Sequence, residues 1–339
     1  MNQNTSLDSI FSNFNKLTVL IVGDVMIDSY LWGKSNRISP EAPVPIVNVV
    51  KRENRLGGAA NVALNILALG AKPLLCSVVG DDVDGGNFLR LLEEKHLPTE
   101  GIVQSPERIT TIKHRIIAGA QQLLRVDSEI EHNLTDYEER FLEERFTNLL
   151  KKSDVVIFED YDKGVLSAKN IKRFIELANA HGIPTVVDPK KKNFLSYVGC
   201  TLFKPNLKEL KEGLKVDFAD ENQHAFEQAV EDLQEQLQAK QVLVTLSERG
   251  VFVADGADKT YIDAHLRTIS DVSGAGDTVI SIASLCVALH TSAAFMAGLS
   301  NLGGGLVCEQ VGVVPVNKML LLEEAQQHKL YDIHEHRIA

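Results

Sequence analysis

Short runs rich in β-branched residues alternate with longer segments of helical apolar spacing along most of the chain. This order restricts the possible folds more than any other feature, because strands that alternate with helices form βαβ units with parallel strands. A parallel sheet is covered by helices on both faces. The sequence therefore predicts a three-layer α/β/α sandwich around a mostly parallel central sheet. The expected strands cover residues 18–22, 74–79, 154–158, 184–187, 201–204, 241–246 and 251–254, and the expected helices cover residues 59–69, 86–95, 135–151, 167–181, 221–239, 276–289 and 291–309.

Two extended segments, residues 43–50 and 111–127, interrupt this alternation because no helix separates them from their neighbours. We expect a small β-lid formed by the segments near 30–55 and 108–127, within a single domain that covers residues 1–339. A lid of this kind can close over a site, and its exposed strand edges favour pairing with a second subunit, so we expect a homodimer. Residues 328–339 show no clear pattern and are expected to fray.

Composition excludes several classes of partner. The chain has 35 basic and 46 acidic residues among 339, a net charge of −11. An acidic surface repels nucleic acid and anionic membranes, so any phosphate site must be a local positive pocket. Four scattered cysteines, no apolar run of membrane-spanning length and no signal-peptide pattern together favour a cytoplasmic protein.

The segment 271–277, with the sequence DVSGAGD, is the strongest chemical signal. A glycine-containing turn that enters a helix presents unpaired backbone N–H groups to an anion, and the helix dipole adds to the attraction. Asp277 stands beside that site, where an ionised carboxylate could take a proton from a hydroxyl that attacks a phosphate. Asp is also a favoured helix cap, and the seven residues alone do not separate the two roles.

Two further segments contain residue types that suit a polyol. Gly57 and Gly58 allow a close backbone approach, and Asn61 offers a donor and an acceptor, although small residues also serve helix–sheet packing. Asp28 follows the first strand and could accept hydroxyl hydrogens.

Polar residues after later strands suit a nucleotide and its metal. Asn206 and Glu209 could organise hydrated Mg²⁺, but their spacing is also that of a capping box. The hydroxyls of Thr245 and Ser247 and the backbone of Gly250 could contact phosphates, or simply form a hairpin turn. The glycine-rich run that follows Asn301 is expected to break its helix, either for a flat ligand or as a helix end.

Charged residues after two more strands converge on the same sheet edge. Asp160 is a weaker candidate for sugar binding. Lys163 and Lys190 are the best local cations for a phosphate in this acidic chain, although lysines of this kind often cover a solvated face.

Taken together, these motifs resemble the ribokinase/PfkB superfamily of ATP-dependent carbohydrate kinases. The segment 57–63 (GGAANVA) matches the N-terminal signature of that superfamily, and the segment 271–277 matches the C-terminal one. Ile282 departs from the small residue that the family prefers. Within the superfamily the chain is similar to the D-glycero-β-D-manno-heptose-7-phosphate 1-kinases, through the segments 23–30, 37–45, 121–127 and 160–164.

The resemblance implies roles for individual residues. Asp277 would be the base, and the amides of Gly274, Ala275 and Gly276 would hold the migrating phosphoryl group. The implied sugar contacts are Asp28, Gly57, Gly58, Asn61 and, more weakly, Asp160. Asn206 and Glu209 would lie near magnesium, reached through water, and Thr245, Ser247, Gly250 and Asn301 would line the nucleotide cleft.

The resemblance also implies cofactors and partners: ATP, Mg²⁺ and a possible monovalent cation, with a sugar phosphate as the acceptor. Many such proteins carry a nucleotidyltransferase domain after the kinase. We expect that second activity on a separate polypeptide. The alternatives are another sugar-phosphate or nucleoside kinase and an inactive sugar-binding regulator. A dehydrogenase is disfavoured because the glycines near 274–276 lack the third glycine of a dinucleotide fingerprint.

Overall fold

The computed structural model describes residues 6–119 and 121–331, so residues 332–339 of the expected frayed tail lie outside the described part. The strands are β1 (Thr18–Gly23), β2 (Val25–Ile38), β3 (Pro45–Gly58), β4 (Lys72–Gly80), β5 (Ile102–Ser105), β6 (Ile112–Ala118), β7 (Gln121–Ser128), β8 (Val155–Glu159), β9 (Thr185–Asp188), β10 (Leu202–Phe203), β11 (Gln241–Thr245), β12 (Val251–Asp255) and β13 (Asp258–Ile262). The helices are α1 (Leu7–Phe14), α2 (Ala59–Ala68), α3 (Val83–Glu94), α4 (Asp136–Leu150), α5 (Ala168–Ala180), α6 (Leu207–Leu214), α7 (Gln223–Leu237), α8 (Ala275–Ala288), α9 (Ala293–Cys308) and α10 (Lys318–Gln327).

Within the described residues, the larger sheet has nine strands in the order β13-β12-β11-β10-β9-β8-β1-β4-β5. The seven strands from β11 to β5 pair in parallel, and β12 and β13 add an antiparallel edge. The carboxyl ends of the parallel strands therefore meet along one edge, which is where open α/β sheets bind their ligands.

Helices cover both faces of this sheet. Along β1, Val19 and Ile21 join one apolar cluster with residues of α1, α2, α3, α8, α9 and α10, whereas Leu20 and Val22 join a second cluster with residues of α4 to α7. Successive side chains of a strand point to opposite faces, so a run that is apolar at every position must be covered on both sides. The predicted three-layer fold is confirmed.

The smaller sheet, for which the sequence predicts the role of a lid and which keeps that name, has the strand order β3-β2-β6-β7. β2 pairs antiparallel with β3 and parallel with β6, and β6 forms a hairpin with β7. Its strands run further than the sequence suggested, since β3 continues to Gly58 and so connects directly to α2.

The expected break after Asn301 is wrong, because α9 runs without interruption through Gly303, Gly304 and Gly305. A Cβ at Gly303 would lie 2.1 Å from Cδ1 of Ile282 on α8. The glycine therefore makes room for the large side chain at the position where the family prefers a small one. The sequence analysis also missed α1, α10, β5 and β13. Among the described residues, every helix is too short or too polar to cross a lipid bilayer.

Candidate active site

The first turn of α8 carries Asp277 to the carboxyl edge of the central sheet. The helix is apolar around nearly its whole circumference because it packs against α2, α9, β8 and β9. Gly274 precedes it with a φ of 82°, a left-handed conformation that glycine adopts without steric cost. This burial fixes the direction of the helix and therefore the place of its N-terminus.

The turn before α8 leaves amides for an anion, although not all of the predicted ones. The Ala275 amide donates to the carbonyl of Val272 at 3.3 Å, so it is already used inside the turn. Within the described part of the chain, the amides of Gly276 and Asp277 have no acceptor, as expected for the first turn of a helix. The Asp271 carboxylate shapes the turn, since it accepts from the amides of Ser273 and Gly312.

Both carboxylate oxygens of Asp277 accept hydrogen bonds. The Asn61 amide nitrogen donates to Oδ2 at 2.5 Å, and the Tyr161 hydroxyl donates to Oδ1 at 3.1 Å. Burial raises the pKa of Asp277 to about 6, against the lowering effect of the Asn61 hydrogen bond. The sequence suggested that the helix terminus would keep Asp277 ionised. In the structure, desolvation outweighs that effect and the pKa is raised. A pKa just below neutrality suits a general base.

A cluster of carboxylates surrounds this position. One oxygen each from Glu159, Asp188 and Asp277 lie within 4.8 Å of one another, at the ends of β8 and β9 and on α8. Glu159 is 1% exposed, and its Oε2 has no hydrogen-bond partner among the described residues. Burial, and next the neighbouring Asp188 and Asp277, raise the pKa of Glu159 well above its usual value. The Lys204 Nζ pairs with Asp188 at 2.9 Å and neutralises part of this charge.

This cluster fits a magnesium ion. Mg²⁺ prefers oxygen ligands and takes few of them from protein. Glu159 also has one buried oxygen without a hydrogen-bond partner among the described residues, which a bound cation would satisfy. By contrast, the side chains of Asn206 and Glu209 form a reciprocal capping box at the start of α6, and Glu209 also pairs with Lys190 at 2.8 Å. The side chains of the two predicted metal contacts are therefore already engaged in helix-capping hydrogen bonds and an ion pair.

The predicted sugar contacts lie where the lid joins α2. Gly58 has a φ of 59°, and a Cβ there would lie 2.4 Å from the carbonyl oxygen of Asp24. At Gly57 a Cβ would lie 2.6 Å from Oδ2 of Asp28, so the glycine leaves room for this carboxylate. Asn61 follows on α2 and reaches Asp277. The structure therefore brings Gly57, Asp28 and Asn61 into one neighbourhood with the candidate base.

The predicted nucleotide contacts form two adjoining groups. Thr245 bridges to Asn206, at the edge of the central sheet. Gly250 packs against the segment 262–264, and Asn301 donates to the carbonyl of Asp263 in the same segment. Ser247 is exposed in the short turn between β11 and β12.

Three predicted residues are turned to other partners. Asp160 is fully buried and accepts from the Tyr197 hydroxyl at 2.7 Å and the Asn193 amide at 3.2 Å. The Lys163 Nζ pairs with Glu129 at 2.9 Å and Glu131 at 2.8 Å. Lys190 pairs with Glu209, as described above. The structure therefore holds Asp160, the weaker candidate for sugar binding, in buried internal hydrogen bonds, and it holds Lys163 and Lys190, the candidates for a phosphate, in ion pairs.

The sequence analysis assigned no role to Glu159, Tyr161, Asp188 or Lys204. Each of these residues ends a parallel strand or follows one within two residues, so convergence at the sheet edge was the available signal. It also missed Asn65, which lies one helical turn after Asn61, donates to the Asn61 carbonyl and accepts from the Thr278 hydroxyl.

Comparisons with known proteins agree with this architecture. The profile of the pfkB family of carbohydrate kinases matches residues 16–318. The bifunctional protein HldE of Syntrophotalea carbinolica is 37% identical over 331 residues, which cover 97% of this chain and 67% of that protein. The HldE protein of Helicobacter pylori strain HPAG1 is 37% identical over 332 residues, covering 92% of this chain and 71% of its own. The chain thus spans about two thirds of the length of these relatives.

Solved structures show the same fold at low identity. Phosphofructokinase-2 from Escherichia coli in complex with potassium aligns with a TM-score of 0.76 and 18% identity, covering 92% of this chain and 98% of its own. Ribokinase from Arabidopsis thaliana, complexed with ribose and ATP, aligns with a TM-score of 0.70 and 15% identity, covering 91% and 99%.

Proposed function

The chain belongs to the pfkB family of carbohydrate kinases, and from this we propose that it phosphorylates the anomeric hydroxyl of D-glycero-β-D-manno-heptose 7-phosphate with MgATP. The product is the 1,7-bisphosphate, an intermediate of ADP-heptose synthesis for lipopolysaccharide. One observation carries the kinase chemistry: the buried Asp277 lies between Asn61, on the predicted sugar side, and the unpaired amides at the start of α8. The choice of sugar rests on the four segments that resemble the heptose-7-phosphate kinases.

The proposed reaction is an in-line transfer. The Asp277 carboxylate takes the proton of the anomeric hydroxyl while that oxygen bonds to the γ-phosphorus. The bond from the γ-phosphorus to its bridging oxygen breaks, and ADP leaves with the electron pair. The free amides near Gly276 hold the oxygens of the migrating group. An anomeric hydroxyl is more acidic than an ordinary alcohol, so a carboxylate is an adequate base.

Magnesium, when bound, neutralises the charge of the nucleotide phosphates. Glu159 and Asp188 are the residues that would hold it, and Lys204 tempers their repulsion. A monovalent cation is a further proposed cofactor, in keeping with the potassium in the phosphofructokinase-2 structure.

The lid has two roles in this proposal. One is to close over the sugar and exclude water, which would otherwise hydrolyse ATP. The other is to form a homodimer, because Leu124 and Val126 of β7 are exposed by 53% and 45%. An apolar strand face of this kind favours contact with a second subunit.

The proposal is tested by incubating the protein with ATP, Mg²⁺ and single acceptors. We expect ³¹P NMR to show an anomeric phosphate on heptose 7-phosphate, and ADP release to be far slower with fructose 6-phosphate, ribose or nucleosides. Faster turnover of one of those acceptors would replace the substrate assignment. ADP release with none of them would favour a sugar-binding regulator.

A further inference from the structure

Two arginines of the lid converge on one tyrosine ring. The guanidinium carbon of Arg55 lies 4.9 Å from the centre of the Tyr30 ring, and that of Arg115 lies 5.3 Å from it. Strand register explains the convergence, since Arg115 pairs with Tyr30 across β6 and β2, and Arg55 pairs with Asp28 across β3 and β2. Paired residues, and residues two apart, share a face of a sheet. The two cations therefore lie on the same face as Asp28.

This face of the lid borders the catalytic turn. A Cβ at Gly312 would lie 3.0 Å from Nη1 of Arg55, and the Gly312 amide donates to Asp271, the first residue of that turn. At its other end the same face meets Gly57, whose missing side chain leaves space for Asp28. The two guanidinium groups thus overlook the cleft between the lid and the start of α8.

Both arginines keep donors available. Arg115 uses Nη1 for Asp28 at 2.5 Å, and Arg55 uses Nε for Glu53 at 2.7 Å. No other acceptor for either guanidinium is found among the described residues. Each guanidinium therefore keeps N–H donors beyond the one that its carboxylate partner uses, and a guanidinium can donate to two phosphate oxygens at once.

The lysines nearby are poorer candidates. Lys163 is held by two carboxylates, and Lys190 is held by one. The Lys113 Nζ lies 3.9 Å from Asp127 and 3.8 Å from Glu129. Each arginine also has one carboxylate partner, but a guanidinium has five N–H donors and can bind a phosphate without giving up that partner, whereas the compact ammonium of a lysine would have to share its charge with the carboxylates.

We infer that Arg55 and Arg115, held over Tyr30, form the site that binds the phosphate group of a phosphorylated sugar acceptor. This inference rests on the proposed function and adds to it the group that selects a sugar phosphate over a free sugar. Because the lid itself would bind the phosphate, we expect binding of the sugar phosphate to be coupled to closure of the lid.

The test compares Arg55→Gln, Arg115→Gln and Arg115→Lys with Arg52→Gln. Arg52 is an exposed arginine of β3 that alternation places on the opposite face. We expect KM for heptose 7-phosphate to rise about 10- to 100-fold in the two Gln variants, as for loss of a charge-assisted hydrogen bond. Arg115→Lys should recover only part of this loss. KM for ATP should stay within about twofold, and Arg52→Gln should resemble the wild type.

Turnover of a second acceptor, unphosphorylated heptose, separates the contribution of the phosphate group from that of the sugar. On unphosphorylated heptose, the wild type and Arg55→Gln should have similar kcat/KM, so the preference of this variant for the phosphorylated sugar collapses. Arg115→Gln also removes the partner of Asp28, a proposed sugar contact, so it should lose activity on both sugars and lose more on the phosphorylated one. An unchanged KM for heptose 7-phosphate, or an equal loss on both sugars, would overturn the inference.

Binding without turnover separates this inference from the proposed function. Thermal stabilisation of the wild type by heptose 7-phosphate and by inorganic phosphate, both without ATP, should disappear in the Gln variants. If the wild type binds these anions through the arginines but does not phosphorylate the heptose, the site stands and the proposed function fails. If it phosphorylates the heptose and the variants do so equally well, the function stands and the site fails.

Discussion

At the scale of single residues, the site is a balance between burial and hydrogen bonding around one carboxylate. Asp277 is 8% exposed, and desolvation opposes its charge. Asn61 and Tyr161 partly offset this effect, because they donate hydrogen bonds to the two carboxylate oxygens and so favour the ionised form. The result is a base that is mostly ionised near neutral pH and still basic enough to accept a proton.

The pH dependence of turnover reports this balance. We expect kcat/KM for the sugar to rise with pH along a limb with an apparent pKa of about 6, where Asp277 loses its proton. In Tyr161→Phe that limb should move to higher pH, because a hydrogen bond that lowers the pKa of Asp277 is lost. Rates measured from pH 5 to 9 would show the shift. An unchanged limb would mean that Tyr161 does not position the base.

The same burial predicts a stability cost. The folded pKa of about 6 lies above the ordinary aspartate value of 3.8, so the contribution of this group is fully present below pH 4 and is lost as pH rises through 6. Asp277→Asn carries no such loss. We expect the variant to match the wild type in free energy of unfolding near pH 4 and to exceed it by about 2–3 kcal/mol above pH 6.5. Urea melts at both pH values test this, and a variant that is less stable at neutral pH would contradict the assigned cost.

At the scale of elements, strand and helix order could be predicted because apolar periodicity records which faces are buried. Two of the missed elements gave weak signals, since β5 has four residues and α10 has no strong apolar face. By contrast, α1 carries apolar residues at helical spacing after the N-cap Ser6, so its signal was available and was overlooked. The site was only partly predictable. Convergence at the sheet edge predicted where the site lies. It could not predict the partners of Asp160, Lys163 and Lys190, because these partners come from other segments of the chain that meet only in the folded structure.

The sequence could not predict the contact between α8 and α9 either, because the two residues that meet there lie on different helices. Gly303→Ala should destabilise the fold by about 1–2 kcal/mol, because its Cβ would overlap Cδ1 of Ile282. Adding Ile282→Val removes that atom and should recover most of the loss, which a double-mutant cycle measures. Gly86→Ala is the control, since a Cβ there meets nothing within 4 Å and should stabilise α3 slightly. Strictly additive effects of the two α8–α9 changes would contradict this packing.

At the scale of the whole molecule, the lid gives the protein two different surfaces. The face with Asp28, Arg55 and Arg115 turns toward the site. Leu124 and Val126 pair with Ile116 and His114, which flank Arg115 in β6, so they lie on the opposite face. Such a division fits a lid that binds substrate on one side and a second subunit on the other.

Light scattering on the eluting protein tests this surface. We expect twice the chain mass for the wild type and the single-chain mass for Val126→Glu, because a charge on the apolar face opposes association. Val83→Glu, at an 82% exposed valine of α3, should remain dimeric. A monomeric wild type, or a dimeric Val126→Glu, would remove the lid from the interface.

The most direct measurement is the rate of phosphoryl transfer by Asp277→Asn under saturating ATP and heptose 7-phosphate. The account predicts a fall in kcat of about 10²- to 10⁴-fold, the range for loss of a general base, with ATP affinity within about threefold of the wild type. Asp217→Asn, at an exposed aspartate, should keep full activity. An Asp277→Asn enzyme within tenfold of wild-type kcat would contradict the assignment of Asp277 as the base.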